Sequence, residues 1–130
     1  MGGTHERLVV DGANVVGSVP DGWWRDRPRA ARSLHAGLIA LAASGAEVTL
    51  VLEGRAVPEL PEGVVDGVTV RWARRPGRDA GDERIVELVA VDPDPASLTV
   101  VTADRALREA VQALGASVSG PREFRRRIGV

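Results

Sequence analysis

At 130 residues the chain is expected to form one domain, long enough to bury roughly two-thirds of the surface that the unfolded chain exposes. The absence of cysteine excludes a disulfide scaffold, a thiolate metal site and a thiol nucleophile. A net charge of −1 gives no general pull toward nucleic acid, and no apolar run approaches membrane-spanning length.

Residues 1–6 are read as flexible. They carry no cleavable signal pattern, and Glu6 stands where a myristoylation motif needs Ser or Thr. Leu8-Val9-Val10 is a short apolar run that ends in Asp11-Gly12-Ala13-Asn14, which predicts a buried parallel strand with an acid and an amide at its carboxyl end. Residues 15–24, with two glycines, one proline and two tryptophans, read as a loop. Asp26 and Pro28 predict a helix start, and Leu34, Leu38, Leu41 and Ala42 keep helical spacing up to Gly45.

Residues 48–52 predict a second buried strand, again closed by an acid and a glycine, Glu53-Gly54. The proline- and glycine-rich passage through Gly67 is read as surface loop, and residues 68–72 alternate as a third strand. Arg74 to Arg78 form a basic loop before Asp79-Ala80-Gly81-Asp82-Glu83, which opens a helix carrying Ile85, Val86, Leu88 and Val89. After a turn at residues 92–95, residues 98–102 give a fourth apolar strand, followed by Asp104. A helix with Leu107, Val111 and Leu114 closes at Gly115, residues 116–118 give a short fifth strand, and residues 121–127 a terminal helical turn. There is no internal repeat and no linker.

Strands alternating with helices define a three-layer, Rossmann-like α/β fold with a mainly parallel five-stranded sheet. Right-handed crossovers place all the strand carboxyl ends on one edge. Asp11, Glu53 and Asp104 each follow a strand, and Asp82 begins a helix, so acids far apart in sequence are expected to converge there.

Each acid also has a structural explanation. Asp79, Asp82 and Asp104 could cap or charge the helices they open, and Glu53 could be an ordinary loop residue. Together, however, like charges raise one another's pKa unless a cation neutralises them. Oxygen ligands without His or Cys suit a hard ion, Mg²⁺ or Mn²⁺, which stabilises in-line attack of water on a phosphodiester.

All 17 basic side chains other than the two histidines are arginine. Twelve of them form three groups, at residues 25–32, 71–78 and 122–127. Arginine binds phosphate bidentately and stacks on bases, which suits a polyanion; solvated helix faces are the alternative. Arg74, Arg75 and Arg78 precede Asp82, Arg105 follows Asp104, and Trp23, Trp24 and Arg25 offer stacking partners for bases unless the rings fold onto the adjoining helix. The Gly12-Ala13-Asn14-Val15-Val16-Gly17 stretch lacks the spacing of a nucleotide-cradling loop. His35 lies within a helix as a surface or packing residue, and no Ser/His/Asp arrangement stands out.

Val10-Asp11-Gly12-Ala13-Asn14, Leu52-Glu53-Gly54, Ala80-Gly81-Asp82-Glu83-Arg84-Ile85 and Val101-Thr102-Ala103-Asp104-Arg105 occur in the order and spacing of a known family. The chain resembles the NYN domains, in their YacP-like subgroup, within the PIN-like nucleases. The resemblance runs through nearly the whole chain, to Gly115 and residues 120–124. It implies a PIN-like fold, a metal-dependent ribonuclease activity, an acidic site at Asp11, Asp82 and Asp104, and Asn14 as a polar supporter. Two positions depart from the pattern: Glu53 stands where an Asp-Gly pair is usual, and Gly81 separates Ala80 from Asp82, with Asp79 as an additional acid.

The resulting expectation is a cytoplasmic, Mg²⁺- or Mn²⁺-dependent endoribonuclease. Asp11, Asp82 and Asp104 hold metal, Glu53 or Asp79 completes the shell, and Asn14 and Arg105 orient water or phosphate. RNA is the expected partner, with a second copy of the chain or a ribosomal or RNA-processing component as further ones, and no membrane. Two rivals stand beside it: an inactive RNA- or partner-binding module with a vestigial site, and a hydrolase of small phosphate esters or nucleotides.

Overall fold

The structure, a computed structural model, describes residues 5–77 and 79–130. The expected flexibility of residues 1–4 and the RNA-binding role of Arg78 therefore lie outside the described residues. The elements in chain order are β1 (Arg7–Asp11), α1 (Gly12–Gly17), α2 (Arg27–Ala43), β2 (Glu47–Leu52), β3 (Gly63–Val65) and β4 (Val68–Trp72). They continue with α3 (Ala80–Val91), β5 (Leu98–Val101), α4 (Arg105–Ala113), β6 (Ser117–Ser119) and α5 (Pro121–Ile128). Single 3-10 turns lie at Trp23–Arg25 and Pro95–Ser97.

The sheet runs in the order β3-β4-β2-β1-β5-β6, and every pair is parallel except β3 with β4. The chain moves outward from β1 to β2 and β4 on one side and returns to β5 and β6 on the other. The reversal of strand order therefore falls between β1 and β5, where an open α/β sheet leaves a crevice at its carboxyl edge.

Both faces of the sheet are covered. Leu8, Val10, Leu50 and Val70 pack with Val15, Leu34, Leu38 and Phe124 from α1, α2 and α5. Val9, Val51 and Val100 pack with Ile85, Val89, Leu107 and Val111 from α3 and α4. This double burial is why the central strands are continuous apolar runs rather than alternating ones. Each such side chain contributes about 1.5–3 kcal/mol relative to exposure, so the strand ends that carry polar groups are held on a rigid frame. At the opposite edge Arg7 bonds Asp92 through Nη2 at 2.7 Å and Glu47 through Nε at 3.0 Å.

Two expectations are corrected. The sheet has six strands, because the passage read as loop contains β3. Asp66 (φ 50°) and Gly67 (φ 82°) make its two-residue connection to β4 with both φ angles positive, as a type I′ hairpin turn requires. Residues 15–24, read as loop, hold the second half of α1, which begins at Gly12, and most of the Trp23–Arg25 turn. The glycines of α1 disfavour helix, but the Asp11 carboxylate accepts the Asn14 N–H at 3.2 Å as a cap, and Val15 is fully buried. Gly12 is required there: a Cβ would lie 2.6 Å from the Val51 carbonyl oxygen. Asp26 caps α2 through the Arg29 N–H, as expected. Among the described residues no helix is long and apolar enough to cross a membrane.

Candidate functional site

The carboxyl edge of the sheet gathers the acids. Asp11, Glu53, Asp79, Asp82 and Asp104 line one cavity of about 220 Å³, together with Ala13 and Asn14. Asp11 ends β1, Glu53 follows β2, Asp79 and Asp82 flank the start of α3, and Asp104 caps α4. Convergence of the four segments follows directly from the parallel topology.

Asp11 is the buried member, only 4% exposed. Its Oδ1 accepts the Asn14 N–H, and its Oδ2 accepts the hydroxyl of Thr102 at 2.9 Å. Burial pushes its carboxyl up to about 6, aided by the charges of Glu53 and Asp104 and opposed by these two hydrogen bonds. Asp82 is half-exposed and is pushed up to about 7, first by burial, then by the charges of Asp11, Asp104, Asp79 and Glu53.

The structural explanations of the acids fare unequally. Asp104 does cap α4, its Oδ1 accepting the Leu107 N–H at 2.9 Å, yet it also lines the cavity. Asp79 stands at the cap position of α3 with φ 63° and makes no side-chain cap bond. Glu53 is no ordinary loop residue: its Oε2 accepts the Gly81 N–H at 3.0 Å. A Cβ at Gly81 would fall 2.5 Å from that oxygen, so the extra glycine in this motif makes room for the longer Glu53 side chain. Glu53 and Gly81 thus fit each other directly.

Asn14 is positioned from across the sheet, with its Oδ1 accepting the Ala103 N–H at 2.9 Å. Arg105 does not line the cavity; it is 93% exposed and lies 3.9 Å from Glu109. Arg74 bonds Glu87 through Nε at 2.8 Å, and Arg75 pairs with Glu83, so these two cations face carboxylates of α3. Trp23 and Trp24 meet edge to face at 5.9 Å, with Arg27 over the first ring and Arg25 over the second. Trp23 packs by Gly17, while Trp24 is 49% exposed. His35 is buried, its Nε2 3.0 Å from the Val65 carbonyl, and is a packing residue as expected.

Thr102 is a site residue that the sequence motifs do not mark as one. Wholly buried, it donates to Asp11 and accepts the Asp104 N–H at 3.1 Å, joining two of the acids. The signal is a hydroxyl at the carboxyl end of the strand, directly after Val100-Val101 and two positions before Asp104. In the sequence Arg122 and Arg126 stand out only as part of a basic run; in the fold they line a second cavity that shares Ala13 and Asn14 with the acidic one.

The all-oxygen donor set and the mutual repulsion of the carboxylates fit a hard divalent cation. Among the described residues, however, no group of three or more His, Asp or Glu side chains is set to hold an ion directly. An ion that keeps several waters and takes one or two carboxylates, as Mg²⁺ does, matches both observations.

The fold is a PIN-like α/β fold. The solved structures that share it include two of Rae1 (YacP) from Bacillus subtilis. One matches with a TM-score of 0.76 and 22% identity over 95% of this chain and 74% of that one. The other, a tryptophan-to-leucine variant, matches with a TM-score of 0.72 and 22% identity over 95% of this chain and 75% of that one. Both carry the YacP name of the subgroup that the sequence motifs resemble. No family model and no curated protein sequence matches the chain.

Proposed function

We propose that the chain is a divalent-metal-dependent endoribonuclease that hydrolyses RNA phosphodiester bonds at the acidic cavity. One observation carries this reading: five carboxylates from four segments surround one hollow at the reversal of strand order. Packing alone gives no reason to hold such charges together, because their proximity and burial raise the pKa of Asp11 and Asp82.

Asp11, Asp82 and Asp104 would hold Mg²⁺ or Mn²⁺, directly or through water, with Glu53 or Asp79 completing the shell. When bound, the ion supplies charge neutralisation and an activated water for in-line displacement at phosphorus. Thr102 fixes the orientation of Asp11. The Asn14 amide and the exposed Arg105 guanidinium are assigned to orient water and phosphate. Trp23, Trp24 and Arg25 are assigned to bases beyond the cleavage point, with Arg74, Arg75 and Arg78 as further backbone contacts. The reading places this work in the cytoplasm, with a second copy or a ribosomal or RNA-processing component as further partners.

The second reading, an RNA-binding module with little or no activity, is favoured by one observation: Asp104 and Glu53 already serve as acceptors for the Leu107 and Gly81 N–H groups. Incubating the protein with single-stranded RNA, with structured RNA and with small phosphoesters separates the readings. The nuclease reading expects RNA cleavage that needs Mg²⁺ or Mn²⁺ and is lost with chelator and in Asp104→Asn. RNA binding without cleavage under either metal supports the module instead. Hydrolysis of small esters alone supports neither.

A further inference from the structure

Ala13 and Asn14 line two cavities at once. Beside the acidic one lies a larger hollow of about 710 Å³ between α1 and the start of α5, bordered by Ser18, Ala103, Gly120, Arg122 and Arg126. Its rim has the opposite chemistry, two guanidinium groups against the single carboxylate of Glu123. Arg122 and Arg126 lie four residues apart on α5 and so share one face of it.

These two arginines differ from their neighbours. Arg125 is spent on the Val15 carbonyl and Asp21, and Arg127 on Glu6. Arg122 donates through Nε to the Ser18 carbonyl at 3.2 Å, which anchors the guanidinium and leaves its two terminal nitrogens without acceptors among the described residues. Arg126 forms no ion pair among the described residues. A further hollow of about 420 Å³, lined by Val19, Pro20 and the same two arginines, extends the track away from the acids.

We propose that the cavity between α1 and α5 is a backbone-phosphate subsite for single-stranded RNA. Arg122 and Arg126 hold the phosphate next to the one at the acidic cavity, and the strand crosses between them over Ala13 and Asn14. The proposal rests on the reading of the acidic cavity as the RNA-cleaving site and gives the strand its path. A carboxylate cluster repels a polyanion, so a strand laid across it needs cations close by to hold it. An anchored Arg122 meets phosphate with little ordering left to lose, and its planar donors suit two phosphate oxygens.

The test is equilibrium binding of a fluorescently labelled single-stranded RNA by the full chain in EDTA, so that no cleavage intervenes. The Arg122→Ala/Arg126→Ala variant is expected to bind about tenfold more weakly at low salt. Its dependence of log affinity on log salt is expected to be shallower by about 0.7 for each phosphate that an arginine no longer neutralises. Arg126→Lys is expected to recover most of the affinity. Arg32→Ala, which removes an exposed partner of Glu59 away from both cavities, is expected to bind as the wild type does. A melting temperature shared by all variants shows that the fold is kept.

Unchanged affinity and salt slope in the double variant overturn the subsite, and so does wild-type protein that binds no RNA. Cleavage by wild type with unaltered binding in the double variant removes the subsite and leaves the nuclease reading. Arginine-dependent binding without any cleavage removes the nuclease reading and leaves the subsite.

Discussion

The Thr102 hydroxyl donates to Oδ2 of Asp11 at 2.9 Å and, in the same position, accepts the backbone N–H of Asp104 at 3.1 Å. One buried side chain thereby sets the orientation of an acid 91 positions earlier and of the turn that carries an acid two positions later. Thr102→Val keeps the volume and removes both bonds. Asp11 then loses a donor to its charged form, so its carboxyl rises further, and the Asp104 N–H is left without a partner. RNA cleavage at neutral pH is expected to fall about tenfold, with the acidic limb of the pH–rate profile moved to higher pH. Denaturant unfolding is expected to show a loss of about 1–3 kcal/mol. An unmoved pH profile would mean that Thr102 serves packing alone.

The raised carboxyls carry a sign for stability. Asp11 and Asp82 sit at about 6 and 7 in the fold, above the ordinary 3.8. Their stabilising contribution is therefore complete below pH 3.8 and is lost as pH rises through 6 and 7. For buried Asp11 the loss is on the order of 2–3 kcal/mol. Asp92 and Glu6, held below their ordinary values first by hydrogen bonds from Arg7 and Arg127, act oppositely and only at lower pH. Metal-free protein is thus expected to melt at a lower temperature at pH 8 than at pH 5.5, and added Mg²⁺ to raise the melting temperature more at pH 8. Thermal melts in EDTA and in Mg²⁺ at the two pH values check this; an equal Mg²⁺ effect at both contradicts it.

Two glycines of the site are expected to respond differently to alanine. At Gly12 a Cβ meets backbone, 2.6 Å from the Val51 carbonyl oxygen, so Gly12→Ala must move a central strand. Its cost is expected to be about 3 kcal/mol or more, read by chemical denaturation. At Gly81 the obstacle is the flexible end of Glu53, which can swing away. Gly81→Ala is expected to cost about 1 kcal/mol or less in stability while lowering cleavage, because Glu53 leaves the cavity. If Gly81→Ala cleaves as wild type does, Glu53 has no part in the chemistry.

The aromatic and basic residues before α2 and α3 are expected to separate in RNA binding. Trp24 is half-exposed with Arg25 over its ring at 5.8 Å, an arrangement open to a base. Trp24→Ala is expected to weaken single-stranded RNA binding by about 1 kcal/mol, roughly fivefold. Arg74 already faces Glu87. Arg74→Ala removes a backbone contact whose charge Glu87 already offsets, and is expected to weaken binding by about twofold, less than Trp24→Ala, by fluorescence anisotropy. The reverse ranking would move the strand to the α3 side of the acids.

Much of the site was legible because it follows from periodicity and topology. Apolar runs ending in Asp11, Glu53 and Asp104 define strands of a parallel sheet, and parallel strands put their ends together. What stayed hidden depends on interactions made only after folding. The helical state of Gly12–Gly17 rests on the Asp11 cap and on Val15 being buried, which outweigh two glycines. The β3 strand is three residues long, and its Asp66-Gly67 turn signal was submerged in a passage rich in prolines and glycines. The roles of the arginines were beyond sequence reading, since Glu83 and Glu87 take two of them and the docking of α5 beside α1 presents two others.

Direct measurement of Mn²⁺ binding, by electron paramagnetic resonance of the free ion during titration at pH 7.5, bears most closely on the acidic cavity. The wild-type protein is expected to take up Mn²⁺ competitively with Mg²⁺. Asp11→Asn and Asp82→Asn, which keep side-chain shape while removing charge, are each expected to weaken that uptake tenfold or more. Uptake equal to wild type in both variants, or no uptake by the wild type at all, would contradict a shared cation among these carboxylates.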